Sequence, residues 1–228
     1  MNRTGRLVAA LAALALSLPA AARAQGCIGA PVPERARGAQ LQAGGSTVDV
    51  GRDYGSFDVG AAYRANPAGP LAYSAEYLLR SVGDVDTKVH TVSGALAFRL
   101  PLPVNLLTTC VRSGVGAAFL SDGSSGSSYT NVTIPVALVV ELPLPVGLGR
   151  TLTPYVAPQF LWSTTSGEVF GIDGLNESDT GFGFEAGVGL RINRVLLGAG
   201  ATFADLSPTL GTPAVPDRAF HVRAGLLF

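Results

Sequence analysis

Chemistry in this chain could come from its histidines, an acidic cluster, a cysteine pair and a row of strand charges. His90 and His221 are the only histidines. A histidine that activates a serine must share a face with it. His90 and Ser93 are an odd number of residues apart, which puts them on opposite faces of a strand. His221 has no adjacent serine or aspartate, so a distant strand would have to complete a site around it. Glu168, Asp173, Glu177 and Asp179 could offer oxygen ligands to a divalent cation. Their spacing fits no calcium loop, and a solvated external loop is the plainer expectation. Gly181 to Gly189 has a glycine at every second position. That pattern belongs to a strand and not to a phosphate-binding loop. We therefore assign no catalytic, cofactor-binding or metal-ligating residue, and expect no cofactor.

The elements that must carry these groups are short alternating segments. The last stretch shows the pattern most simply: Phe228, Leu226, Ala224, Val222 and Phe220 fall on one side, and Leu227, Gly225, Arg223 and His221 on the other. In 180–192, phenylalanine, valine, leucine and isoleucine alternate with glycine, Glu185 and Arg191. Further strands are expected at about 38–50, 56–64, 71–80, 87–100, 106–120, 129–142, 150–162 and 195–203. Gly44-Gly45 is expected to bulge the first of them. Pro154 and Pro158 each remove a ladder donor from the seventh, and share a row with Val156, Phe160 and Trp162. Short connections at Asn66–Pro70, Pro101–Pro103, Pro143–Gly149 and Asn193-Arg194 alternate with long polar ones at 121–128, 163–179 and after Ala204. Ten strands result, or eight if the first or the proline-bearing seventh is misread.

Composition decides which way the faces point. Hydrophobic residues make up 47% of the chain and charged ones only 14%, against a usual quarter, too few to cover a soluble domain. Yet after the N-terminal segment no apolar run is long enough for a membrane helix. Hydrophobicity spread over alternating strands is what a closed transmembrane sheet requires, since in lipid every backbone polar group must be paired internally. The apolar rows then face acyl chains. The charged row lines the interior: Asp58, Arg64, Glu76, Arg80, Arg99, Arg112, Glu141, Glu185, Arg191 and Arg223. These side chains form either a packed network of ion pairs or a conduit whose arginines select anions. Glycine on the same row reads as a sign of little internal volume. Lysine and arginine balance aspartate and glutamate at 16 each, so no basic excess is present to hold a nucleic acid.

The N-terminus has Arg3 and Arg6, an apolar run from Leu7 to Leu18 and a small-x-small site at Ala22-Arg23-Ala24. It reads as a cleaved secretory signal peptide over 1–24. Residues 25–37 follow as a proline-bearing periplasmic lead-in, and 38–228 as the barrel. In an exported chain, Cys27 and Cys110 are expected to form one disulfide, with two free thiols as the alternative. Cys110 falls on the inward row near the periplasmic start of its strand. The bridge would fold the lead-in against or into the lower mouth.

With its signal peptide, alternating strands, sorted loops and terminal Phe228, the mature chain resembles a small bacterial outer-membrane β-barrel, similar in size to the OmpA-like and OmpX-like superfamily. The resemblance is architectural. It implies an all-β, closed, antiparallel up-and-down barrel in the bacterial outer membrane, surrounded by lipid and lipopolysaccharide. It also implies insertion by the barrel-assembly machinery after escort by periplasmic chaperones, with Phe220, Val222, Leu226 and Phe228 as the assembly signal. The expected role is non-enzymatic, structural or surface-interacting. A narrow pore for small solutes is the alternative. A lipid- or peptide-modifying enzyme, with His221 the first residue to test, is a further one.

Overall fold

The computed structural model describes residues 24–25, 27–28, 32–33, 35–49, 53–67, 69–82, 87–101, 107–122, 127–147, 149–169, 172–205 and 218–228. Residues 1–23 of the expected signal peptide, the tips at 83–84, 102–103 and 123–126, and the prolines at 208, 213 and 216 lie outside these residues. Ten long strands follow in order: β1 (Ala36–Asp49), β2 (Asp53–Asn66), β3 (Leu71–Val82), β4 (Thr87–Leu100), β5 (Thr108–Asp122), β6 (Ser127–Glu141), β7 (Arg150–Val169), β8 (Ile172–Ile192), β9 (Val195–Asp205) and β10 (Arg218–Leu227). Each pairs antiparallel with its sequence neighbours, and β10 pairs with β1, so the sheet closes as an up-and-down barrel.

Closure has a definite stagger. From Gly187, the register passes through Gly200, His221, Gly44, Asp58, Arg80, Val89, Leu120, Tyr129 and Gly167. It returns to β8 at Leu175, twelve residues from its start. A barrel with that shear has tilted strands and an interior that side chains nearly fill. Because the shear is even, the inward row stays inward all the way round.

The two faces divide as alternation requires. Leu41, Phe57, Leu96, Phe182 and Val222 are exposed on the outside, Phe182 at 73%. Gln40, Gln42, Asp58, Arg64, Arg80 and Glu185 are buried inside, Arg64 at 3%. Exterior aromatics lie towards both rims. Phe57, Tyr77, Phe119, Trp162, Phe203 and Phe220 are near one; Tyr63, Tyr73, Phe98 and Phe228 are near the other. Such girdles mark the two water–lipid boundaries of a membrane barrel.

Three details differ from the sequence expectation. Ser163–Asp179 is not a long loop. β7 and β8 remain paired from Arg150↔Ile192 to Val169↔Ile172, and the hairpin extends beyond the apolar band. Past Trp162 and Phe182 its outward residues turn polar, with Thr164, Ser178 and Thr180 on that face. The bulge is also displaced. Register runs unbroken through Gly44 and Gly45, and the irregularity lies between Gly167 and Val169. Gly44 instead permits close approach, because a Cβ there would lie 2.1 Å from the Phe220 carbonyl oxygen across the closing seam. Finally, glycine does not everywhere mean a crowded interior: a cavity of about 290 Å³ lies beside Gly114 and Gly116.

Pro154 and Pro158 do not end β7. Its ladder to β8 runs unbroken past both prolines, whereas its pairing with β6 skips from Val156 to Gln159, beside Pro158. The missing donors thus interrupt one edge only. At the Asn193-Arg194 hairpin, Asn193 takes φ 53°, a left-handed conformation asparagine tolerates, and its amide donates to the Gly149 carbonyl at 2.8 Å.

Candidate functional site: a plugged lumen with a polar cavity

The lead-in enters the barrel. Ala24–Gln25 pairs with Val32–Pro33 in a minimal antiparallel ladder. Cys27, Ile28 and Val32 are fully or almost fully buried, packed in a cluster with Ala72, Ala97, Cys110, Val139, Ala157 and Leu196 from the lower ends of the strands. The disulfide ties this short segment to the strand wall, and its described apolar side chains, Ile28 and Val32, are buried inside the mouth. Cys27 and Cys110 are bonded, with Cα atoms 5.9 Å apart. Barrel side chains also hold the plug backbone. Arg64 Nη1 donates to the Ile28 carbonyl, and Asn66 Nδ2 donates to the Val32 carbonyl at 3.1 Å. At the entrance to β1, the Arg35 amide donates to the Asn66 carbonyl at 2.6 Å.

Above the plug lies a layer of paired charges. Arg64 Nη2 is 3.4 Å from Glu76 Oε2, and Arg64 Nε donates to Gln40 Oε1 at 2.6 Å. Gln42 Nε2 donates to the other Glu76 oxygen, while Arg223 Nε donates to Gln42 Oε1 at 3.2 Å. Glu185 accepts from Arg112 Nη2 at 2.6 Å and from the Tyr155 hydroxyl at 2.9 Å. On the β2–β3 wall, Arg80 Nε donates to Asp58 Oδ1 at 2.9 Å, and Ser46 Oγ donates to Asp58 Oδ2 at 3.2 Å. Desolvated charges persist only when paired and hydrogen-bonded, and these satisfy that condition. Further out, Asn131 Nδ2 donates to Ser163 Oγ and Thr165 Oγ1, both at 2.8 Å, beside a small apolar cluster of Val89, Ala118 and Leu120.

The remaining inward charges lie towards the lower mouth. Arg99 is opposite Cys110, Glu141 is buried opposite Thr108 and Tyr155, and Arg191 Nη2 donates to Thr151 Oγ1 at 3.1 Å. All ten charges read from the alternation are thus on the lumen row. Phe220, Val222, Leu226 and Phe228 are on the exterior. The Phe228 ring lies 6.4 Å from Tyr63, and its amide donates to the Arg37 carbonyl at 3.0 Å.

The chemical candidates are dispersed. His90 faces outward, where its Nδ1 is 2.7 Å from the Tyr77 hydroxyl, and Ser93 lines the lumen cavity. His221 is inward beside Gly200, and among the described residues it hydrogen-bonds to no serine, threonine or carboxylate. Glu177 and Asp179 belong to strand β8, opposite Thr165 and Ser163. No cluster of three or more His, Cys, Asp and Glu side chains suited to a metal occurs among the described residues.

Sequence reasoning missed the cavity. Its lower side is Ile28 of the plug, its flank is Arg64, Glu76, Arg112, Glu185 and Arg223, and its wall includes Thr91, Ser93, Asn131 and Thr133. The available signal was the pair Gly114 and Gly116 on a row otherwise able to carry side chains.

No protein-family model and no curated protein matches this chain. Solved structures do. The β domain of the Bordetella autotransporter BrkA superposes with TM-score 0.54 at 14% identity, covering 85% of this chain and 99% of that one. The translocator domain of autotransporter NalP from Neisseria meningitidis gives 0.52 at 12% identity, covering 99% and 94%. The outer membrane enzyme PagL gives 0.35 at 14% identity, covering 83% and 98%, a likeness too distant to bear on function. What this chain shares with the two autotransporter domains is the fold, that of an outer-membrane β-barrel.

Proposed function

We propose that the protein is an integral barrel of the bacterial outer membrane whose lumen is sealed, and that it acts without catalysis, stabilising the envelope or presenting its outer hairpin to a surface partner. The observation that carries this reading is the disulfide-anchored plug of Cys27, Ile28 and Val32, buried in the lower mouth beneath the Arg64–Glu76 layer. Size and architecture also agree with the likeness to small OmpA-like and OmpX-like barrels. The apolar exterior between two aromatic girdles supports a lipid surrounding that includes lipopolysaccharide. Insertion by the barrel-assembly machinery, with periplasmic chaperones before it, belongs to the same reading.

A narrow pore is the second reading, favoured by the cavity above Ile28. It requires the plug to leave, because the cavity ends on that side chain. Planar-bilayer recording of the folded, oxidised protein separates the two. The sealed barrel predicts a quiet baseline, and resolved ionic steps would favour the pore. An assay of lipid modification by wild type and His221→Ala tests the absence of catalysis. Product formation by wild type that the substitution removes would overturn it.

A further inference from the structure

The lumen cavity is bordered by groups whose hydrogen-bonding capacity is unevenly used. Both oxygens of Glu185 accept, from Arg112 and Tyr155, and both oxygens of Glu76 accept, from Gln42 and Arg64. Arg112, by contrast, makes a single hydrogen bond among the described residues, through one N–H of Nη2, which leaves Nε, Nη1 and the second N–H of Nη2 without a protein acceptor, so a bidentate edge that includes Nη2 stays available. A guanidinium presents five N–H donors in a rigid fork suited to carboxylate or phosphate. The hydroxyls of Ser74, Thr91 and Ser93, on the same cavity, have no protein partner among the described residues either. The carboxylate acceptors on this surface are engaged, and N–H and O–H donors are available.

The space beside Arg112 is left by a glycine that the backbone does not need. On β5 the next inward positions are Gly114 and Gly116. A Cβ at Gly114 would come within 2.6 Å of the Gly94 carbonyl oxygen, so packing of β4 on β5 requires that glycine. At Gly116 the nearest atom would be Ser93 Cβ at 3.6 Å, an ordinary contact. Gly116 has no unusual φ and no clash to avoid. What its missing side chain provides is room.

We propose that this cavity binds a small polyhydroxylated organic anion, its carboxylate or phosphate held by the Arg112 fork and its hydroxyls by Ser74, Thr91 and Ser93. The volume, about 290 Å³, lies at the lower edge of the usual range for ligand pockets, so the ligand is of monosaccharide size. Ile28 lines the lower side of the cavity. This goes beyond the sealed-barrel reading and relies on it only for the floor, so binding and conductance can fail independently.

The test is calorimetric titration of the full mature protein, folded in detergent micelles, with gluconate, sorbitol and inorganic phosphate. Gluconate is expected to bind saturably, and sorbitol, which lacks the charge, at least about tenfold more weakly, as loss of a charge-assisted bidentate contact implies. Phosphate binding as tightly as gluconate would support the oxyanion anchor and assign recognition to the fork alone. Weaker phosphate binding would assign a share to the hydroxyl wall. Gly116→Leu fills the cavity without touching a charge. It is expected to weaken gluconate at least about tenfold while the heat-modifiable gel mobility of the folded barrel is retained. Arg112→Lys keeps the charge and loses the fork, and is expected to weaken gluconate with folding intact. No saturable binding of either anion, equal binding of sorbitol and gluconate, or unchanged gluconate binding by a folded Gly116→Leu protein would each overturn the proposal.

Discussion

Arg112 and Glu185 meet across the lumen, Nη2 to Oε2 at 2.6 Å, although β6 and β7 stand between their strands in the wall. The pair is a strut: it ties β5 to β8 through the interior, and the Tyr155 hydroxyl on β7 completes the carboxylate's coordination. Truncation of one partner leaves a desolvated charge alone, which costs about 3–5 kcal/mol in buried settings. Glu185→Ala is therefore expected to lower the urea midpoint of the micelle-folded barrel. The double variant Arg112→Met, Glu185→Leu should recover much of that loss. Denaturation curves for the three proteins read the coupling directly.

The exterior should tolerate charge according to depth. Val188 lies in the apolar band, and Thr164 lies past Trp162 where the outer face becomes polar. Val188→Arg is expected to destabilise by about 2–4 kcal/mol, and Thr164→Arg by about 0–1 kcal/mol. Reversible unfolding in lipid vesicles measures the difference. Equal effects would mean that the band does not end at Trp162.

Closure of the sheet depends on Gly44. A methyl group there would lie 2.1 Å from the Phe220 carbonyl oxygen, inside the β1–β10 seam. Gly44→Ala should reduce the yield of heat-modifiable, folded protein. Gly55→Ala, where an added Cβ meets nothing within 4 Å, should leave that yield at the wild-type level.

Much of this architecture was legible because a strand's period of two separates faces wherever the faces differ. In β8, phenylalanines and valine against glycine, Glu185 and Arg191 fixed both the strand and the direction of each side chain. The inward charges followed once scarcity of charge had turned the apolar rows towards lipid. Beyond Trp162 the contrast disappears. Thr164 and Ser178 face outward, Thr165 and Glu177 inward, and all are polar, so the hairpin above the membrane reads as loop. A remaining clue was the apolar pair Val169 and Ile172 flanking two residues. The plug was half legible: Cys27 and Cys110 marked the tether, while Ile28 and Val32, separated by Gly29, Ala30 and Pro31, carry no periodic pattern. The cavity was hidden because glycine serves two ends. At Gly44 and Gly114 it admits a neighbouring backbone; at Gly116 it leaves space. Only the distances to the opposite strand tell them apart.

The plug gives the central claim its sharpest test. Cys27–Cys110 closes 83 residues of sequence, worth about 4.5 kcal/mol in the chain-entropy view, and Arg64 and Asn66 add hydrogen bonds to the plug backbone. Planar bilayers should therefore be recorded with the oxidised wild type beside the Cys27→Ser, Cys110→Ser variant, both checked for folded gel mobility. The sealed lumen predicts silence from the wild type and brief ionic openings once the tether is gone. Sustained conductance through the oxidised wild type, matching that of the serine variant, would contradict it.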